Sequence, residues 1–187
     1  MALSLNKGGN LSLTKTDPNL NKLLIGLGWD ERATSGAEFD LDASVFLLSN
    51  AGKVRGDHDF IFYNQLKSDN GAVEHTGDNR TGEGDGDDEV INVDLSKIPA
   101  TVTSLVFTVN SFTGQTFETV ENAFCRIVNA SNNSEVARYN LSAQGGHTAM
   151  IMAKVYRHNN EWKMHAIGET ASGRTFHDLM PAIAPHA

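Results

Sequence analysis

Residues 90–95 read VINVDL. Ile91, Val93 and Leu95 fall two apart and can share one buried face, the period of a strand with one side in a core. Val90 blurs the polarity of the other side. Runs of the same kind stand on either flank: ASVFLL at 43–48, DFIFY at 59–63 and SLVFTV at 104–109, each bounded by Gly, Asn, Asp or Pro. Segments 23–28, 123–128 (AFCRIV), 135–141 (EVARYNL), 149–156 (AMIMAKVY) and 162–167 (WKMHAI) extend the series. About ten short strands at close spacing predict an all-β fold, an antiparallel two-sheet β-sandwich with a few short helices.

The remaining segments fit around that core. LSLNKGGNLSL at 3–13 holds two alternating runs about Gly8-Gly9 and predicts a hairpin, and HNNE at 158–161 predicts another. Ser96–Pro99 and 118–122 suggest single helical turns, and TFHDLMPAI at 175–183 a short C-terminal helix interrupted at Pro181. With no linker-like tract and no internal repeat, one domain over residues 1–187 is the simplest organisation.

Composition narrows the function. A net charge of −8 and a pI near 5.3, without any Lys/Arg cluster, argue against a nucleic-acid partner. One cysteine, Cys125, excludes an internal disulfide and a multi-thiolate metal site. With no apolar run of about 18 residues and no leader-like start, no direct membrane insertion is expected and a cytoplasmic location is the default.

Immediately before VINVDL the chain reads GDNRTGEGDGDDE, residues 77–89. Six carboxylates against one arginine give this stretch −5 of the chain's −8. Charge runs are often solvated faces, but this one is internal, and Gly77, Gly82, Gly84 and Gly86 free its backbone to curl. Two carboxylates about 5 Å apart repel by about 3 kcal/mol at an effective dielectric near 20. A cation relieves that, and an all-oxygen donor set without His or Cys suits Ca²⁺ better than zinc or copper. An EF-hand does not fit: starting from Glu83, position six is Asp88 where that loop requires glycine. Asp40 and Asp42, in FDLDAS, flank Leu41 at strand spacing, so both carboxylates point one way and Leu41 and Ala43 the other. Asp30, in GLGWD, can belong to the same end of the sandwich. The count of carboxylates favours two ions.

Taken together, LSLNKGGNLSL, GLGWD at 26–30, FDLDAS at 39–44, HTGDNRTGEGDGDDE at 75–89, ENAFCRIVN and EVARYNL resemble the TerD family of tellurium-resistance and stress-response proteins. The resemblance runs through most of the chain. It implies a two-sheet β-sandwich with two Ca²⁺ ions in loops at one end, no established enzymatic activity, and action with other proteins of the tellurium-resistance system at the inner face of the membrane. The family's calcium motifs fall here on Asp40, Asp42, Asp78, Asn79, Thr81, Glu83, Asp87, Asp88 and Glu89. Asp85, at a variable place in the pattern, and Asp30, outside its densest part, complete the candidate metal set.

The other reactive side chains suggest little chemistry. His75 reads as a surface histidine, with a place behind the loop as the alternative, and no histidine pair has zinc-like spacing. Cys125 lies in the alternating AFCRIV and reads as core packing, not as a reactive thiol. The expectation is therefore a calcium-binding scaffold or binding module. A metal-dependent phosphoesterase is the first alternative, for which Arg32 and Arg80 are the only basic residues near the acidic motifs. A small-molecule sensor, for instance of a cyclic nucleotide, is the second, and no phosphate-cradling motif supports it.

Overall fold

The structure, a computed structural model, describes residues 2–31, 41–77, 86–111, 113–142 and 144–187. Two six-stranded sheets face each other. In spatial order the first holds β1 (Leu3–Leu5), β10 (Ser134–Asn140), β9 (Val120–Asn129), β3 (Lys22–Glu31), β7 (Glu89–Asp94) and β6 (Val73–His75). The second holds β2 (Asn10–Ser12), β12 (Glu161–Ala171), β11 (Ala149–His158), β8 (Ser104–Ser111), β4 (Leu41–Leu48) and β5 (Phe60–Ile61). Every pairing is antiparallel except β1 with β10.

The alternation in the sequence becomes the core directly. Ile91 and Val93 of β7 are buried between the sheets with Leu95 just beyond them, facing Leu41, Ala43, Val45 and Leu47 of β4. Phe46 and Leu48, at the even positions of β4, point the other way into a second apolar layer beneath α2 (Phe176–Ile183). Both faces of β4 are therefore covered, which is why ASVFLL is a nearly continuous apolar run.

Two local expectations are corrected. The N-terminal runs do not form a hairpin: β1 adds to β10 and β2 adds to β12, so each lies on a different sheet. Gly8, at φ +80, carries the chain across, and the link is tied to β12 by Gly8 N–H to the Ala166 carbonyl and Ala166 N–H to Gly9. Two sheet edges each gain a short covering strand this way. Nor does Pro181 interrupt α2. The Thr175–Asp178 capping box starts the helix, and Leu179 and Ile183, four apart, are buried against the second sheet and carry it past the proline. The HNNE turn is a hairpin as expected, with Asn159 and Asn160 both at positive φ, as a two-residue turn of the primed type requires. Among the described residues no helix is long and apolar enough to cross a membrane.

Candidate metal-binding rim

The strands around residues 86–89, the described end of the acidic stretch, are β3 and β7 of the first sheet and β4 of the second. Pairing of β7 with β3 ends at Glu89 opposite Leu27. Asp88 then continues the ladder with main chain and side chain together: its backbone N–H donates to the Leu27 carbonyl (2.9 Å), and its Oδ2 accepts the Trp29 N–H (2.7 Å). Trp29 sits at an irregularity in the β3–β9 register, so its N–H has left the regular ladder and needs this acceptor. Glu89 reaches the opposite way. It rises from the inward face of β7, and its Oε2 accepts the Ala43 N–H of β4 at 2.5 Å. Adjacent carboxylates thus cap one peptide N–H in each sheet.

His75 completes this connection, and the surface reading is overturned. It is 1% exposed, with Nε2 at 3.1 Å from Glu89 Oε2 and 3.2 Å from the Ala43 carbonyl. Its Nδ1 accepts the Gly77 N–H at 3.0 Å. An acceptor Nδ1 fixes the neutral tautomer with hydrogen on Nε2, which is then the donor toward Glu89 and Ala43. Val73 and His75 alternate on β6, and that spacing carried the signal for an inward histidine.

Asp87 has a different neighbour. Arg126 Nε–H donates to its Oδ1 (2.7 Å) and Nη2–H to its Oδ2 (2.8 Å), a two-pronged pair on the outer face of the first sheet. Arg126 also reaches Glu135 (3.1 Å), which accepts twice from Arg138 (both 2.9 Å), and Arg138 lies over the Phe124 ring (4.5 Å). The arginines hold Glu135 below the ordinary carboxylate range, and Asp87 holds Arg126 above its own. GLG in GLGWD exists for this face: a Cβ on Gly26 would overlap the Asp87 carboxylate, and one on Gly28 the Phe124 ring.

Asp88 carries the electrostatic load. Burial, followed by the charges of Asp30, Glu89 and Asp87, pushes its carboxyl up to about 6, against the opposing Trp29 hydrogen bond. Burial is the largest part of that rise, and the neighbouring carboxylates add to it.

The candidate residues do not all converge. Asp42 lies on the outer face of the second sheet, opposite Asn110 in register and away from Leu41 and Ala43, as the strand spacing predicts. Asp30 is exposed and accepts from Asn122 Nδ2 at 2.6 Å. Asp87, Asp88 and Glu89 are placed as above. Asp40, Asp78, Asn79, Thr81, Glu83 and Asp85 lie outside the described residues. Among the described residues no three acidic, histidine or cysteine side chains gather as a ligand set. The chemistry of the donors nevertheless fits a hard cation, since they are all oxygen. Sequence reasoning missed Arg126, paired with Asp87 across 39 residues, and the Trp29 and Ala43 amides.

Cys125 is 1% exposed, and burial pushes its thiol up to about 12, which makes it inert core.

The TerD domain matches residues 1–181. A tellurium resistance protein TerD of Serratia marcescens is 52% identical over 178 residues, 92% of this chain and 93% of that protein. General stress protein 16U of Bacillus subtilis (strain 168) is 49% identical over 179 residues, with 92% and 93% covered. In three dimensions, a Streptomyces coelicolor A3(2) homologue of the telluride resistance protein TerD superposes with a TM-score of 0.68 at 17% identity, covering 83% of this chain and 92% of the other. The domain match over nearly the whole length, joined to relatives about half identical along nine-tenths of it, places the chain in the TerD family of tellurium-resistance and stress-response proteins.

Proposed function

We propose that this TerD-family chain is a calcium-dependent scaffold or binding module, with no catalytic step of its own, acting with other proteins of the tellurium-resistance system. The observation that carries the reading is Asp88: a buried carboxylate pushed up to about 6, with three further carboxylates acting on it, at the exit of a loop of charge −5. Asp88 and Glu89 would hold a Ca²⁺ ion together with donors from Asp78, Asn79, Thr81, Glu83 and Asp85, and Asp40 and Asp42 would serve a second. Bound calcium supplies the missing positive charge and fixes the loop. Asp87 then anchors the loop to Arg126, and His75 holds Glu89 in its two-sheet bridge. The rim so fixed is the surface that a partner protein would read.

A calorimetric titration of chelator-stripped protein with Ca²⁺, with Mg²⁺ as competitor, tests this. Two binding events that resist Mg²⁺ and weaken in Asp88→Asn are expected. At a hundredfold excess over Kd, calcium adds about 2.7 kcal/mol of stability. Absent heat, or equal preference for Mg²⁺, overturns the reading.

A further inference from the structure

The two outer faces are covered differently. On the second sheet, Leu179 and Ile183 of α2 seal the layer of Phe46, Leu48 and Val106, while α1 (Leu13–Thr16) packs beside β12 and β2. Among the described residues no α-helix packs on the outer face of the first sheet. Its centre is nevertheless apolar. Leu23 and Ile25 of β3 enter the core, so Leu24 between them points outward, where it pairs in register with Val128 of β9. Val90 of β7 stands diagonal to Leu24, opposite Gly26. Leu24 and Val90 are half-buried, and Val128, though only 6% exposed, belongs to neither apolar cluster of the interior.

The charges around this strip are already matched. To one side runs the ladder of Asp87, Arg126, Glu135 and Arg138, with contacts of 2.7–3.1 Å. To the other, Lys22 stands opposite Asp94 across β3 and β7, Lys97 lies 3.6 Å from Asp94, and Lys67 pairs with Glu74 at 2.8 Å. Five cationic groups against four carboxylates leave the face at about +1 in a chain of −8. Two such acidic chains repel through the rest of their surfaces and not through this one. The face is also large enough. Strands about 4.8 Å apart, rising about 3.3 Å per residue, spread this sheet over roughly 600 Å² before side-chain relief is added, against about 800 Å² per partner in a standard interface.

We propose that two copies of this chain pack the outer faces of their first sheets together, about a two-fold axis running along the central strands β3 and β9. A rotation about that axis returns Leu24 and Val128 of one copy onto the same strip of the other, so apolar meets apolar at the centre. It also carries the Arg126 and Arg138 side of one copy over the Asp87 and Asp94 side of the other, because β9 and β10 lie on one side of the axis and β3 and β7 on the other. Opposite signs then face each other across the contact. An apolar centre inside a rim of neutralised polar pairs is the anatomy of a specific interface, and face-to-face packing is how the two sheets already meet inside the sandwich. Of the residues used, Asp87 alone comes from the acidic stretch, and Arg126 holds it, so the proposal does not rest on the calcium reading.

Sedimentation velocity of the full chain over about 1–300 µM, in chelator and in excess Ca²⁺, tests this. A species of twice the 20.2 kDa protomer is expected in both solutions. Val90→Lys and Leu24→Lys each set like charges against each other near the axis and should weaken the dimer at least about tenfold, although each lowers the net negative charge. Thr170→Lys, the same charge change at an exposed position of β12 in the second sheet, should leave it within about twofold. Thermal melts establish which variants are folded, and if one lysine variant is not, the other decides. Leu24→Cys gives an independent measurement: a short bismaleimide should join two chains through it faster than through Thr170→Cys, since Cys125 is buried. A single 20.2 kDa species throughout, a dimer that appears only with calcium, an undiminished dimer in a folded lysine variant, or cross-linking no faster at Leu24→Cys than at Thr170→Cys overturns the proposal.

Discussion

The acidic loop leaves its last three carboxylates in two unlike surroundings. On the outer face of the first sheet, Asp87 faces a guanidinium, and a ladder of alternating charge runs on through Arg126, Glu135 and Arg138. Along the edge between the sheets, one and two residues later, Asp88 and Glu89 are met by peptide N–H groups and an imidazole. A neutral donor satisfies a carboxylate's hydrogen bonding without cancelling its charge. In the first region the charges alternate, whereas in the second Asp88 is held by a peptide N–H and burial raises its carboxyl. Three consecutive acidic residues therefore do different work, decided by which side of the sheet each one faces.

The largest expected effect breaks the second region. Glu89→Ala would strand the buried Ala43 N–H and leave the His75 Nε2–H only the Ala43 carbonyl, a loss of about 2–4 kcal/mol by urea unfolding in chelator. Glu89→Gln keeps a carbonyl acceptor and should lose about half as much. His75→Phe, similar in bulk but without ring nitrogens, should lose about 1–3 kcal/mol and bring the Glu89→Gln penalty down in the double mutant, since the two share one hydrogen bond. Additive penalties would mean that the imidazole and the carboxylate act independently.

A smaller effect belongs to the first region. Arg126→Met removes the cation from Asp87 and one partner from Glu135, with an expected loss of about 1–2 kcal/mol because the pair is partly open to solvent. Asp87→Asn should lose a similar amount, and the double mutant about the same as either alone. Gly26→Ala offers the same test by steric means, since its methyl displaces the Asp87 carboxylate from Arg126. A full double-mutant cycle showing no coupling would remove the ladder from the account.

The division between these regions explains what could be read beforehand. VINVDL, ASVFLL and the HNNE turn declare themselves because their signals are local: a period of two, or a turn residue at positive φ. The facing of Asp42 followed from the same period. His75 was legible too, two residues after the buried Val73, but its single charge-bearing ring outweighed the alternation. Arg126 was not legible, because its partner lies 39 residues away and only the β3–β9 and β3–β7 pairings bring them together. The N-terminal hairpin failed for a related reason: LSLNKGGNLSL satisfies a hairpin locally, while two sheet edges distant in sequence compete for its strands. Pro181 was overruled by the burial of Leu179 and Ile183, a tertiary contribution of about 1.5–3 kcal/mol per side chain that local propensity does not contain.

The smallest effect is also the sharpest, because its sign differs between neighbours. Asp88→Asn keeps an oxygen for the Trp29 N–H and removes a charge that burial and three carboxylates oppose. In chelator at pH 7 the variant should equal the parent or exceed it by about 1 kcal/mol, whereas Asp87→Asn destabilises. The pH dependence follows from the direction of the shift. The folded-state value, about 6, lies above the ordinary value of 3.8, so this group's contribution is fully present below about pH 4 and is lost as the pH rises through about 6. Metal-free parent protein should therefore gain stability between pH 7 and pH 5 relative to Asp88→Asn, and saturating calcium should abolish that difference by supplying the cation. Thermal melts of both chains across this interval, with and without calcium, measure it. If Asp88→Asn loses stability as Asp87→Asn does, or if the parent's pH dependence is the same with calcium as without, then Asp88 is an ordinary capping residue and the contrast between the two regions does not hold.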